Sequence, residues 1–187
     1  MYCKVLLFNF ILTFILYIRL AYYFLYLYIL IKIVLFMGLS PSKLNSFLFF
    51  KLPSAFWCGV RVKSITTGTC VVSVKHRWVN QNPFNSMYFA VQAMAAELAT
   101  GALLISQIKE SSKNISMLVA NNKSSFTKKA TGRINFTCKD GFILADTIQK
   151  TIATGEGQTF WMKSIGLNEK GEQVSEFDFE WSVRLKS

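Results

Sequence analysis

"NQNPFNSMYFAVQAMAAELATGALL", residues 80–104, reads as a buried helix with one anomaly. Between Arg77 and Lys109 the only charged side chain is Glu97, set among Met, Ala, Leu and Val. A helix that is apolar all round must be covered on most sides, and burying an unpaired carboxylate is costly. The stretch therefore predicts a central helix from about Ser86 to Ile108, with Asn85 or Ser86 able to cap it. It also makes the lone acid the first residue to explain.

Working outward, both flanks read as strands. "GVRVKSITTGTCVVSVKHRW" alternates on either side of Thr67-Gly68, a hairpin signal. After the helix, "NISMLVANNKSSFTKKA" and "GRINFTCKD" are strand-like, with Ile134, Phe136 and Cys138 on one face. "GFILADTIQKTIATG" predicts a short helix with an Asp146–Lys150 pair at i, i+4. The tail predicts a second hairpin turning at Asn168-Glu169-Lys170-Gly171, in which Phe177, Phe179, Trp181, Val183 and Leu185 alternate with polar residues. Ahead of the first hairpin, "LSPSKLNSFLFFKLPSAF" suggests one or two short helices starting at Ser40-Pro41 and broken by Pro53. The sum is an α+β fold, an antiparallel sheet of five to six strands wrapped around one long helix.

Asn82, then Asn85-Ser86-Met87-Tyr88-Phe89-Ala90, then Ala96-Glu97-Leu98-Ala99-Thr100-Gly101, resembles the hotdog-fold thioesterase pattern N-x-x-G-[ST]-M-x-x-G-x-x-x-x-x-x-[ED]-x-x-x-G. "SSFTKKATGRI", residues 124–134, is similar to that superfamily's F-x-[KR]-P-A-x-G segment. The nearest cousins are the phenylacetate-pathway type of acyl-CoA thioesterase and a branch described as a domain of unknown function. The resemblance spans about residues 55–187. It implies a hotdog fold, dimers with pairing into tetramers left open, and an acyl-CoA or acyl-carrier thioester as substrate, with no other cofactor. It places Glu97 at the catalytic carboxylate, Asn82 at the motif Asn, and Asn85 where a glycine normally lies. Amides near Asn85 and Ser86 would steady the oxyanion. Glycine is missing at Asn85 and Ala90, and Lys129 replaces the family's Pro. A non-catalytic acyl or lipid binder with the same fold is the alternative.

Helical geometry bears on this independently. Glu97 lies about 11 residues into the expected helix, roughly 16 Å from its start at about 1.5 Å per residue. One chain cannot bring its own Glu97 to its own helix start, so a shared reaction centre needs two chains. The bland reading of Glu97 is a buried acid satisfied by Gln92, Thr100 or a strand amide, and that of Asn82 is a turn residue. Lys123, Lys128, Lys129 and Arg133 surround a turn where CoA phosphates can bind, or form a solvated face. His76 reads as a solvated strand end.

Composition narrows the classes. The chain has 187 residues, 52% hydrophobic, and a formal net charge of +11. No acid precedes Glu97. The basic residues are scattered, without the clusters or stacking motifs of nucleic-acid binders. Cys3, Cys58, Cys70 and Cys138 form no C-x-x-C pair beside the single His76, so no metal site is expected, and the thiols read as reduced core residues of a cytoplasmic protein. No G-x-S-x-G elbow or phosphate-cradling glycine loop occurs.

Residues 1–36 stand apart from the domain expected over 37–187. They hold no acid, Gly or Pro, and only Lys4, Arg19 and Lys32 as charges. They read either as a membrane anchor or as sequence upstream of a true start at Met37. A native anchor would leave the domain on the cytoplasmic side of an inner membrane, because Lys43, Lys51, Arg61 and Lys63 follow it.

Overall fold

The computed structural model describes residues 39–186 and, before them, Arg19, Tyr22, Tyr23 and Leu25. The chain divides into two compact units, Met1–Gly38 and Leu39–Ser187. In the first, the four described residues are helical and exposed; the expectations of an anchor and of a start at Met37 lie outside the described residues.

The second unit opens with Ser40, whose hydroxyl accepts from the Lys43 amide (3.3 Å) and starts the helix Pro41–Lys51. Pro53 ends that run and begins the short helix Pro53–Trp57. Leu44 and Leu48, one turn apart, are buried, and the longer helix packs along strand β1 (Arg61–Ile65). A turn from Thr66 to Thr69 leads into β2 (Cys70–Lys75). The central helix spans Phe89–Glu110. It is followed by β3 (Ile115–Phe126), β4 (Arg133–Cys138), a helix Gly141–Thr154, β5 (Gln158–Leu167) and β6 (Gln173–Leu185).

The six strands form one antiparallel sheet in the order β1-β2-β4-β5-β6-β3. Alternation works as expected along β4, where Ile134, Phe136 and Cys138 are buried, and along β6, where Phe177, Phe179, Trp181 and Val183 are buried. Against them lies the helix surface of Ala95, Ala96, Ala99, Ala102 and Leu103. Small side chains let the rod settle close to the sheet. At Gly101 the Trp181 ring occupies the approach, 3.3 Å from where a β-carbon would sit. Trp181 Nε1 donates to Thr100 Oγ1 (3.0 Å), and Thr100 Oγ1 donates to the Glu97 carbonyl (2.9 Å), tying helix to sheet. Gly141 starts its helix hard against the first hairpin, where a β-carbon would meet the Thr67 carbonyl oxygen at 2.2 Å.

Two expectations are corrected. The central helix begins at Phe89, not Ser86, because the preceding residues are claimed by strand-like hydrogen bonds: Met87 N–H donates to Ala130 O (2.8 Å) and Tyr88 N–H to Asn80 O (2.9 Å). Asp146 and Lys150 form none of the ion pairs among the described residues. The helix is covered on most sides, as expected: the whole turn Ala99–Leu104 is buried. The sheet and the helix Gly141–Thr154 pack on it, and Glu97 is the one exposed residue away from its ends.

Candidate functional site

The loop that launches the central helix is held together by two asparagines. Asn80 is buried; its side-chain nitrogen donates to Cys58 O and Lys75 O (both 2.9 Å), and its oxygen accepts from Arg77 N–H (2.8 Å). Asn82 Oδ1 accepts from Phe84 N–H (2.9 Å), Ser86 N–H (3.2 Å) and Ser86 Oγ (3.2 Å). Its oxygen is therefore occupied within its own turn. Asn85 has φ +57°, the left-handed conformation that a motif glycine would take and that Asn tolerates better than most residues. Its side chain is exposed and stays out of the adjacent cleft, so it does not crowd it. Ser86 is buried, with its hydroxyl donated to Asn82.

No side chain caps the helix. Tyr88 occupies the cap position, and its carbonyl accepts from Val91 and Gln92. The amides of Phe89 and Ala90 are left without an acceptor among the described residues. Next to them a cleft of about 580 Å³ lies between the helix start and the segment Phe126–Ala130. Aromatic rings of Phe84, Tyr88, Phe89 and Phe126 line it, with Lys128 and Lys129 at its edge. Phe89 and Phe126 meet edge to face at 6.5 Å. Gln92 closes the floor: it is buried, donates to Met87 O (3.3 Å) and accepts from Ser175 Oγ (2.9 Å). Sequence reasoning missed these aromatics and Gln92. The signal at hand was Phe126 and Phe89, each quoted inside a motif yet read only as scaffold.

Glu97 lies eight residues beyond the helix start, about 12 Å along the axis. It is exposed on the single chain, against the expectation of sequestration, but the apolar surroundings still desolvate its carboxyl and push its pKa above the ordinary carboxylate value. One turn on, Gly101 faces Trp181 and Met117 of β3. Glu97 thus opens on an exposed flank of the helix, not into the cleft.

The four basic residues do not gather. Lys128 and Lys129 line the cleft; Lys128 pairs with Glu172 (2.6 Å), and Lys129 Nζ donates to Phe84 O (3.3 Å). Lys123 lies on the outer sheet face, 4.7 Å over the Trp161 ring. Arg133 reaches Ser73 Oγ (3.4 Å) from the same outer side of β4. His76 is only half-buried, but its Nε2 is enclosed without a hydrogen-bond partner. Among the described residues no cluster of His, Cys, Asp and Glu could hold a metal ion.

A family model described as "Domain of unknown function (DUF4442)" matches residues 42–183. No curated protein matches the sequence significantly. Among solved structures, a Pseudomonas aeruginosa protein of unknown function described as a probable thioesterase superposes with a TM-score of 0.69 at 22% identity, covering 80% of this chain and 99% of its own. A Chlorobaculum tepidum protein with unknown function gives 0.69 at 15% identity, covering 80% and 99%. A thioesterase from Haemophilus influenzae gives 0.60 at 10%, covering 79% and 92%. At these identities the likeness concerns the fold, and it is the hotdog fold.

Proposed function

Because the chain belongs to the DUF4442 family and carries the hotdog fold, we propose that it is an acyl-CoA thioesterase-like hydrolase that works as a homodimer. The observation that carries this reading is the separation of two half-sites on one helix. An open pair of amides, Phe89 and Ala90, lies at an aromatic cleft; an acid, Glu97, lies about 12 Å away on an exposed flank. Two copies joined along β3 would bring the Glu97 of one toward the cleft of the other.

In that arrangement the thioester carbonyl oxygen accepts from the helix-start amides, whose partial positive charge stabilises the oxyanion as it forms. Glu97 of the partner takes a proton from water as the water oxygen bonds to the carbonyl carbon. Collapse of the tetrahedral adduct breaks the C–S bond. The thiolate leaves with the proton returned by Glu97, giving a free acid and a thiol. Lys129 and Lys128 at the cleft edge suit the phosphates of a CoA-type carrier, and the aromatic walls suit an acyl or pantetheine chain.

Two substitutions test the shared site. Tyr88 has φ −60° and ψ 136°, an extended conformation that accepts a following proline, and Phe89 is the first helical residue. Phe89→Pro therefore deletes one open amide while keeping the helix, and Phe89→Ala controls for the lost ring. Against a panel of acyl-CoA substrates, the proline variant is expected to hydrolyse about 100-fold more slowly than the alanine variant. Mixing Glu97→Gln chains with Phe89→Pro chains should raise activity above that of either variant alone, because a mixed dimer keeps one complete site. No recovery in exchanged, demonstrably mixed dimers would refute the shared centre. Tight acyl-CoA binding with no turnover by the unsubstituted protein would assign it to the non-catalytic binders.

A further inference from the structure

The helix Pro41–Lys51 is apolar on both faces, yet only Leu44 and Leu48 are buried. Phe47, Phe49 and Phe50 point outward, Phe50 with 75% of its surface exposed. Phe49 meets Phe50 at 4.8 Å and Phe56 at 5.0 Å, and Phe56 meets Trp57 at 6.1 Å, so the rings form one continuous patch. Trp57 is 68% exposed. The turn Trp78–Asn80 is fastened beside this segment: Asn80 Nδ2 bonds Cys58 O and the Arg77 guanidinium lies over Gly59. There Trp78 is 84% exposed and Val79 half exposed.

The surroundings of this patch are cationic. Residues 39–96 contain no Asp or Glu. Lys51 and Arg77 are exposed, and Arg61 sits 3.6 Å over the Phe56 ring while donating to Phe56 O and Val60 O. None of the three is in an ion pair among the described residues. Desolvation, and then the charge of Arg77, hold the Arg61 pKa below its ordinary value. Exposed Trp and Phe ringed by unpaired Lys and Arg is the composition that rests at a bilayer interface and is drawn to anionic headgroups. A second copy would oppose two such cationic faces with no acid between them.

We propose that this face, formed by Phe50, Trp57 and Trp78 with Lys51, Arg61 and Arg77, docks on the surface of an anionic lipid bilayer. The start of the cleft-lining helix is tied to this turn, since Tyr88 N–H donates to Asn80 O. If the hydrolase reading holds, docking feeds the cleft with thioesters whose acyl chains partition into the bilayer; docking itself does not depend on turnover.

The tryptophans supply a direct test, because the chain has four, Trp57, Trp78, Trp161 and Trp181, and none lies in residues 1–38. Full-length protein is mixed with phosphatidylcholine–phosphatidylglycerol vesicles whose acyl chains are brominated, and tryptophan emission is read. Quenching is expected, with most of it lost in the Trp57→Phe/Trp78→Phe double variant. It should fall toward the level seen on pure phosphatidylcholine as salt approaches about 1 M, where screening acts within about 3 Å. No quenching of the unsubstituted protein, quenching that survives the double substitution, or quenching indifferent to both salt and headgroup would overturn the proposal. A concentration-dependent blue shift without quenching would give the face to a second copy and overturn it equally.

Discussion

Asn45 grips the backbone of Val62 at both polar groups: its side-chain nitrogen donates to Val62 O (3.0 Å) and its oxygen accepts from Val62 N–H (2.9 Å). Val62 belongs to β1, an outer strand of the sheet. The Asn amide imitates a neighbouring strand and closes that edge from a helix that packs along it. The opposite edge, β3, has 12 residues to the 5 of β1 and pairs only with β6. An exposed edge of this length is a template for another chain, and of the two edges only β3 is left open to one.

Asn45→Ala should therefore lower stability by about 1–3 kcal/mol, the cost of stranding both Val62 groups. Urea unfolding followed by circular dichroism measures it. Light scattering should show higher-order association as β1 becomes available; a variant as stable and as well dispersed as the parent would contradict the role assigned to Asn45.

Glu97→Gln should cut hydrolysis by at least about tenfold, as expected for loss of a general base. In the unsubstituted protein the rate should rise with pH through a value above the ordinary carboxylate range, following the raised pKa of Glu97. The stability effect has the opposite sense. A carboxyl whose pKa is raised on folding binds its proton more tightly in the native state, so stability falls as pH climbs from the ordinary value through the raised one. Glu97→Gln should thus unfold no earlier than the parent at neutral pH, and the difference should vanish at acid pH. A variant that loses both activity and stability at neutral pH would mark Glu97 as structural.

Asn85→Gly should be neutral or mildly stabilising, and Asn85→Ala should cost roughly 1–2 kcal/mol, because a β-carbon without a local polar group is disfavoured at positive φ. Denaturant midpoints of the two variants give the comparison. Equal midpoints would mean that the left-handed bend is not held in solution.

Cys70 and Cys138 face each other across β2 and β4, and burial pushes both thiols up to about 12. The thiolate is the reactive form, so at mildly alkaline pH both should resist alkylation until the chain unfolds, while the half-exposed Cys58 reacts first. Peptide mapping after timed labelling checks the order.

Much of the architecture was legible because its signals are local. The Thr67-Gly68 turn, the Asn168–Gly171 turn and the strict alternation along β6 each specify structure within a few residues. The start of the central helix was not, because Met87 is drawn into extended backbone by Ala130, 43 positions later in the chain. Nor was the scatter of the basic residues. Lys123 lies on β3, whose alternation turns it to the outer face beside Trp161, whereas Lys128 and Lys129 follow the strand and curl back to the helix start. The exposure of Glu97 was hidden for a different reason. Apolar composition says that a surface needs covering, but not whether the cover comes from the same molecule.

The open margin of β3 carries one more implication. If each reaction centre takes its acid from one polypeptide and its amides from another, catalytic capacity belongs to the pair and obeys mass action. Dilution below the dimer's dissociation constant would then silence the enzyme while every chain stayed folded, making abundance itself a throttle on turnover.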